Sequence, residues 1–121
     1  MKEKPSDENE EVKSEVQEGN ELSVLESHHS KGNRLYYEEH DYEKAIEEYE
    51  EALKDESDEL VRTKITYVIA ESYVKIGNLK KARELFEQIA EKHKEHYLND
   101  SARKRLIHLE DYLIEKEEKK K

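Results

Sequence analysis

One pattern of apolar residues occurs twice in this chain and constrains its fold more than any other feature. Over residues 42–53 the apolar side chains recur at helical spacing, and the opposite face of that helix is almost all glutamate. The same pattern returns 37 residues later, and the helices that precede the two are 38 residues apart. The matching positions are Ala45 and Ala82, Tyr49 and Phe86, Gly32 and Ala70, and Leu35 and Tyr73. We therefore predict an all-α fold built from two copies of an antiparallel helical hairpin.

The difference of one residue between the two spacings falls between Leu35 and His40. In the second copy, Gly77 ends the first helix and Asn78 caps the next one. Asp41 is the corresponding cap in the first copy, which has no glycine before it. We expect the turn of the first copy to be one residue longer.

Capping residues also predict where the first hairpin begins. Ser23 and Glu26 have the spacing of a capping box, so we expect the first helix to run from there to about Glu38. The second helix is expected over residues 42–54, and the acidic stretch 55–58 forms the next break.

The chain is long enough for one domain, which we place at residues 21–118. Residues 1–20 are expected to be a disordered acidic tail with too few apolar side chains to offset the entropy of ordering, and residues 119–121 a basic tail. A fifth helix begins after residues 97–100 and carries leucines at helical spacing. No partner helix follows it, so we expect it to cap the stack. The alternative is a partial third repeat that another chain completes.

Composition limits the possible partners. Charged residues make up 45% of the chain and hydrophobic residues 33%, so a modest core carries a very polar surface. The net charge of −10 disfavours nucleic acid, whose phosphates would be repelled. The absence of cysteine excludes disulfides and thiolate metal sites. With no signal-peptide pattern and no apolar stretch of membrane-spanning length, we expect a cytoplasmic protein that makes no membrane contact.

The paired hairpins resemble the tetratricopeptide repeat family, whose signature places a small residue and an aromatic in one helix and Ala-x-x-x-Phe in the next. The matching motifs, within about residues 25–94, are Gly32-x-x-Leu35 with Ala45-x-x-x-Tyr49 and Ala70-x-x-Tyr73 with Ala82-x-x-x-Phe86. His28 and Thr66 stand where the family has tryptophan, and Ser57 and Lys94 where it has proline. The resemblance implies hairpins stacked as a short right-handed superhelix of five helices. An ordinary antiparallel bundle is the alternative.

Members of this family bind partner proteins in a concave groove lined by the first helix of each hairpin. The resemblance therefore implies a non-catalytic adaptor or co-chaperone-type scaffold that binds a peptide or helix of another protein. The groove positions it implies are His29, Asn33, Tyr36, Tyr37, Lys64, Tyr67, Val68, Glu71, Val74 and Lys75. A subclass of the family clamps C-terminal carboxylates, but the other clamp residues and the third hairpin are missing, so we reject that specificity. We expect apolar side chains of the ligand to anchor on tyrosines, although Tyr37 and Tyr67 are equally compatible with packing between helices.

Catalytic and metal-binding sites have little support in the sequence. His93 and His96 are three residues apart, with Glu91 and Glu95 nearby, yet no third ligand converges on them, and we interpret them as surface residues. The sequence contains no triad order, phosphate loop or pair of buried carboxylates. We therefore expect no enzyme activity, no cofactor and no metal. A homodimer of two short arrays is the alternative to the adaptor function.

Overall fold

The computed structural model describes residues 26–120, with side chains to residue 113, and it is all-α. The first element, α1, is an α-helix over His28–Asn33 that continues as a π-helix over Arg34–Glu39. The later helices are α2 (Tyr42–Asp55), α3 (Glu59–Lys75), α4 (Leu79–Lys92) and α5 (Asn99–Lys120). Each helix packs on the next one, which confirms the predicted stack of sequential hairpins. No helix in the described part of the chain is long and apolar enough to cross a membrane.

Short polar side chains start α2 and α4 where the sequence predicts. Asp41 Oδ1 accepts a hydrogen bond from the Lys44 N–H at 3.3 Å, and Asn78 Oδ1 accepts one from the Lys81 N–H at 3.3 Å. These bonds satisfy N–H groups that have no partner within the first turn of a helix. Gly77 has φ +86°, as expected for a glycine that ends a helix in the left-handed conformation.

The predicted start of α1 is wrong. The helix begins at His28, and Ser27 is its cap, with its hydroxyl oxygen accepting from the Ser30 N–H at 3.1 Å. Glu26, which was expected to complete a capping box with Ser23, instead accepts a hydrogen bond from Arg34 Nη2 at 2.9 Å. That ion pair occupies the carboxylate and lowers the pKa of Glu26. Ser23 itself lies outside the described residues.

The extra residue of the first repeat lies inside α1, so the predicted longer turn is also wrong. The turn has two residues in the first repeat, His40 and Asp41, and three in the second, residues 76–78. His40 takes the left-handed conformation with φ +57°. The bond that closes the first turn runs from the Asp41 N–H to the Leu35 carbonyl at 2.9 Å. It spans one residue more than the equivalent bond of the second repeat. The wider π-helical turns absorb the insertion.

Two apolar clusters form the core, one for each hairpin. The first surrounds Tyr49, the second surrounds Phe86, and both rings are fully buried. Gly32 lies against Tyr49, and a Cβ atom there would be 2.7 Å from two ring carbons, so α1 approaches α2 this closely only with glycine. Ala70 and Ala82 are fully buried together in the second cluster, where α3 packs against α4.

The last helix closes the second cluster. Ala102 and Leu109 of α5 are buried against α4. Asn99 Nδ2 donates to the carbonyls of Ile89 and Ala90 at 3.2 and 3.1 Å. The Ile89 carbonyl also accepts from the His93 N–H, whereas the Ala90 carbonyl lies in the last turn of α4, where helical donors run out. The start of α5 therefore also caps α4.

Candidate functional site

A niche opens between α1 and α3, where the sequence predicts the groove. We call it the first niche, and its volume is about 170 Å³. One stripe of α1 and one stripe of α3 form its walls, and the ring of an α2 tyrosine forms its floor. The lining residues are His29, Asn33, Tyr37, Lys64, Ile65, Val68 and Tyr49. Five of the ten predicted groove positions therefore come together here.

Hydrogen bonding orients the polar wall of the first niche. The Tyr49 hydroxyl donates to Asn33 Oδ1 at 2.6 Å, and burial raises the pKa of Tyr49, so this donor stays protonated. The bond occupies the acceptor of the Asn33 amide and leaves its N–H groups for a ligand. His29 contacts the edge of the Tyr49 ring, with ring centroids 6.2 Å apart.

The rim of the first niche is exposed. The side chain of Tyr37 is 59% exposed. Lys64 on the facing wall is also exposed, and it has no ion-pair partner among the residues whose side chains are described. Val68 and Ile65 are buried behind this rim. The niche therefore combines an apolar interior with hydrogen-bond donors at its edge.

The equivalent space between α3 and α5, the second niche, is bridged by an ion pair. Arg105 Nε donates to Glu71 Oε2 at 2.7 Å, and Arg105 Nη2 donates to Glu71 Oε1. By repeat spacing, Glu71 stands in the place of Asn33 and Arg105 in the place of Val68. The bidentate pair raises the pKa of Arg105, because Glu71 stabilises its charged form. Side chains of the protein thus occupy the second niche.

Tyr67 belongs to this bridged niche and is packed against the core. Its ring meets Phe86 edge to face, with centroids 5.3 Å apart, as His29 meets Tyr49 in the first niche. Tyr67 also interacts with Glu71 and Arg105. Burial raises the pKa of Tyr67. Of the two tyrosines considered for ligand binding, only Tyr37 is largely exposed.

Three further predicted groove residues, Tyr36, Val74 and Lys75, lie near the C-terminal ends of α1 and α3. Tyr36 packs edge to face on Tyr37 and on Tyr42, with centroids 4.7 and 5.3 Å apart, and burial raises the pKa of Tyr36 to about 12. Lys75 places its Nζ 5.9 Å from the centroid of Tyr42. Val74 is half-buried against the second apolar cluster. Of these contacts, the one with Tyr36 orients the ring of Tyr37 at the rim.

Sequence reasoning missed two polar contacts of this half of the molecule. Arg105 is not among the predicted groove positions, and the structure places it on the groove side by its contact with Glu71. His96 was interpreted as a surface residue, which is wrong: it is buried, its Nε2 hydrogen-bonds the Leu60 carbonyl at 3.0 Å, and its Nδ1 accepts from the Leu98 N–H at 3.0 Å. Nothing near His96 in the sequence signals this, because Leu60 lies 36 residues earlier.

The described side chains contain no group of three residues arranged to hold a metal ion. His93 and His96 do not converge, since the imidazole of His96 is fully engaged with backbone groups. The described side chains of the first niche therefore offer a ligand apolar contact and hydrogen-bond donors.

Comparison with protein families gives one match. The model described as tetratricopeptide repeat matches residues 36–106, which is more than half of the chain and reaches from the end of α1 into α5. No catalytic family is found. The comparison with curated proteins and the comparison with solved structures give no significant match.

Proposed function

From the premise that this chain belongs to the tetratricopeptide repeat family, we propose that it is an adaptor that binds a peptide or helix of another protein in the first niche. Domains of this family are in general protein–protein interaction modules and typically non-catalytic. The finer proposal concerns where this chain binds and what it recognises.

The open first niche is the observation that carries the proposal. Its interior offers Val68, Ile65 and the ring of Tyr49, which favour an apolar side chain. Its rim offers the Asn33 amide and Lys64, which can donate hydrogen bonds to backbone carbonyls or carboxylates of the ligand. A ligand with an apolar side chain flanked by hydrogen-bond acceptors would therefore fit both the interior and the rim of the first niche.

Tyr37 is the residue on which we expect most of the affinity to depend. It is largely exposed in the free protein, yet Tyr36 fixes one face of its ring. A tyrosine of this kind provides a large contact at low entropic cost, and its hydroxyl stays hydrated. Partner binding should bury it.

The test compares three tyrosine variants by thermal melting and by affinity capture. Tyr37→Ala should weaken partner binding by about 1–3 kcal/mol and leave the melting temperature nearly unchanged. Tyr49→Ala should cost about 3–5 kcal/mol of stability, because that ring fills the core of the first hairpin. Tyr97→Ala is the matched control, since Tyr97 is 67% exposed and lies outside the niche.

Proteins captured by the native chain and by Tyr97→Ala, but lost with Tyr37→Ala, are the expected partners, and a photo-crosslinker placed at Lys64 should label them. If Tyr37→Ala captures the same proteins as the native chain, the niche is not the binding site. Tyr67→Ala is expected to lose stability as well, because its ring packs on Phe86.

A structural homo-oligomer is the second candidate, and one observation favours it. Ile107 of α5 is 60% exposed on the last helix of the stack. The two functions differ in oligomeric state, which sedimentation measures directly. A location in the cytoplasm, and the absence of nucleic-acid and cofactor binding, stay predictions from composition.

A further inference from the structure

Among the described residues, no carboxylate lines the first niche, although the protein carries a net charge of −10. Its titratable or polar lining groups are His29, Asn33, Lys64 and two tyrosines. The second niche differs, because Glu71 there already neutralises Arg105. No described side chain compensates the positive charge of Lys64 beside this apolar cavity, which favours an acidic ligand with an apolar side chain.

The chain itself carries such a segment. Residues 1–25 contain eight acidic residues and three lysines, and the stretch 10–18 places Val12 and Val16 among four glutamates. This segment joins the described structure at Glu26, which Arg34 holds against α1, only three residues before His29 of the niche wall. At about 3.4 Å per residue, a segment of this length can reach any point of the niche.

We propose that the N-terminal segment occupies the first niche in the free protein. Val12 or Val16 contacts Val68 and Ile65, and the neighbouring glutamates approach Lys64. Because the segment is tethered, its effective concentration at the niche is of the order of millimolar, so even a weak contact competes with an external ligand. The inference rests on the same niche as the proposed function, but it requires no partner.

The absence of cysteine allows a direct test in the full chain. Ser14→Cys carrying a nitroxide label should broaden the backbone amide signals of Asn33, Lys64 and Val68 at low salt. The broadening should largely disappear at about 1 M salt, where the screening length falls to about 3 Å. Broadening that is absent at low salt, or equal over all exposed helix faces, would overturn the proposal.

Charge reversal supplies the matched control. Lys64→Glu should restore the broadened signals, whereas Lys81→Glu, an equal change at an exposed position of α4, should leave them broadened. If both variants behave alike, the segment is attracted by overall charge and not by the niche. None of these measurements involves a partner protein, so their failure leaves the adaptor proposal standing, and the tyrosine variants can fail without affecting this one.

Discussion

At the scale of single residues, the contact between Gly32 and Tyr49 fixes the distance between α1 and α2. The ring carbons of Tyr49 occupy the space that a Cβ atom of residue 32 would need. In the second repeat the same contact is made by Ala70 and Phe86, both fully buried, so there the helices leave room for one methyl group. The two hairpins therefore differ slightly in their closest approach.

This contact predicts the sign of a substitution. Glycine within a helix usually costs about 1 kcal/mol relative to alanine, yet Gly32→Ala should destabilise the protein by about 1–3 kcal/mol through overpacking against Tyr49. Chemical denaturation measures the difference. Gly77→Ala is the control for overpacking, because a Cβ there meets no atom within 4 Å. Any cost of that substitution comes from the positive φ alone. An increase in stability for Gly32→Ala would mean that α1 packs less closely than described.

The residues whose roles could be predicted are those whose partners lie a few positions away in the sequence. Asp41, Asn78 and Gly77 act on backbone groups within a few positions, so their roles follow from the sequence. His96 binds a carbonyl 36 residues away, and only the packed fold brings the two together. The predicted capping box needed the Glu26 carboxylate, which instead pairs with Arg34, a charged partner eight residues later.

At the scale of secondary-structure elements, the π-helical end of α1 is the main departure from the second repeat. The repeat spacing showed that one residue had been inserted before His40. It did not show whether the helix or the turn absorbs the residue, since either solution preserves the apolar contacts on both sides. The structure assigns it to Arg34–Glu39, next to the tyrosines of the first niche.

Deleting the inserted residue should therefore be tolerated. A chain lacking Glu38 can form a regular α-helix with the spacing of the second repeat, and we expect its unfolding free energy to change by less than about 1 kcal/mol. Deletion of Glu87, within the regular helix α4, would rotate Ile89 and Ala90 by about 100° out of the core and should unfold the chain. Circular dichroism and thermal melting of both deletions decide the matter, and equal damage from the two would contradict the π-helical assignment.

At the scale of the whole molecule, the register of α5 shows how the last described helix relates to the two repeats. Ala102 follows Ile65 by 37 residues, and both are buried, so α5 continues the repeat. Ile107 then falls at the position of Gly32 and Ala70, where a following helix would have to approach. An isoleucine there blocks the close contact that α2 makes with α1. This face is unsuited to a third hairpin completed by another chain.

The exposed isoleucine gives a prediction for the assembled state. Ile107→Lys should change the unfolding free energy by less than about 0.5 kcal/mol, because the side chain is already in water. Leu109→Lys should cost several kcal/mol, since it places a charge in the second cluster. Both the native chain and Ile107→Lys are expected to sediment as monomers. A native dimer that Ile107→Lys dissociates would favour the structural homo-oligomer over the adaptor.

The difference between the two niches also affects how firmly α1 and α5 are each held to α3. Arg105 and Glu71 tie α5 to α3, two helices apart, whereas the described side chains contain no hydrogen bond or ion pair that ties α1 to α3. Among the described residues, α1 is held by α2 and by the apolar cluster that Leu35 shares with α3, and no polar contact ties it to α3. We therefore expect α1 to open more readily than α5. A ligand in the first niche would contact both walls and supply the missing tie. Binding would then stabilise the packing of α1 against α3 by an amount that grows with the logarithm of the ligand concentration above Kd.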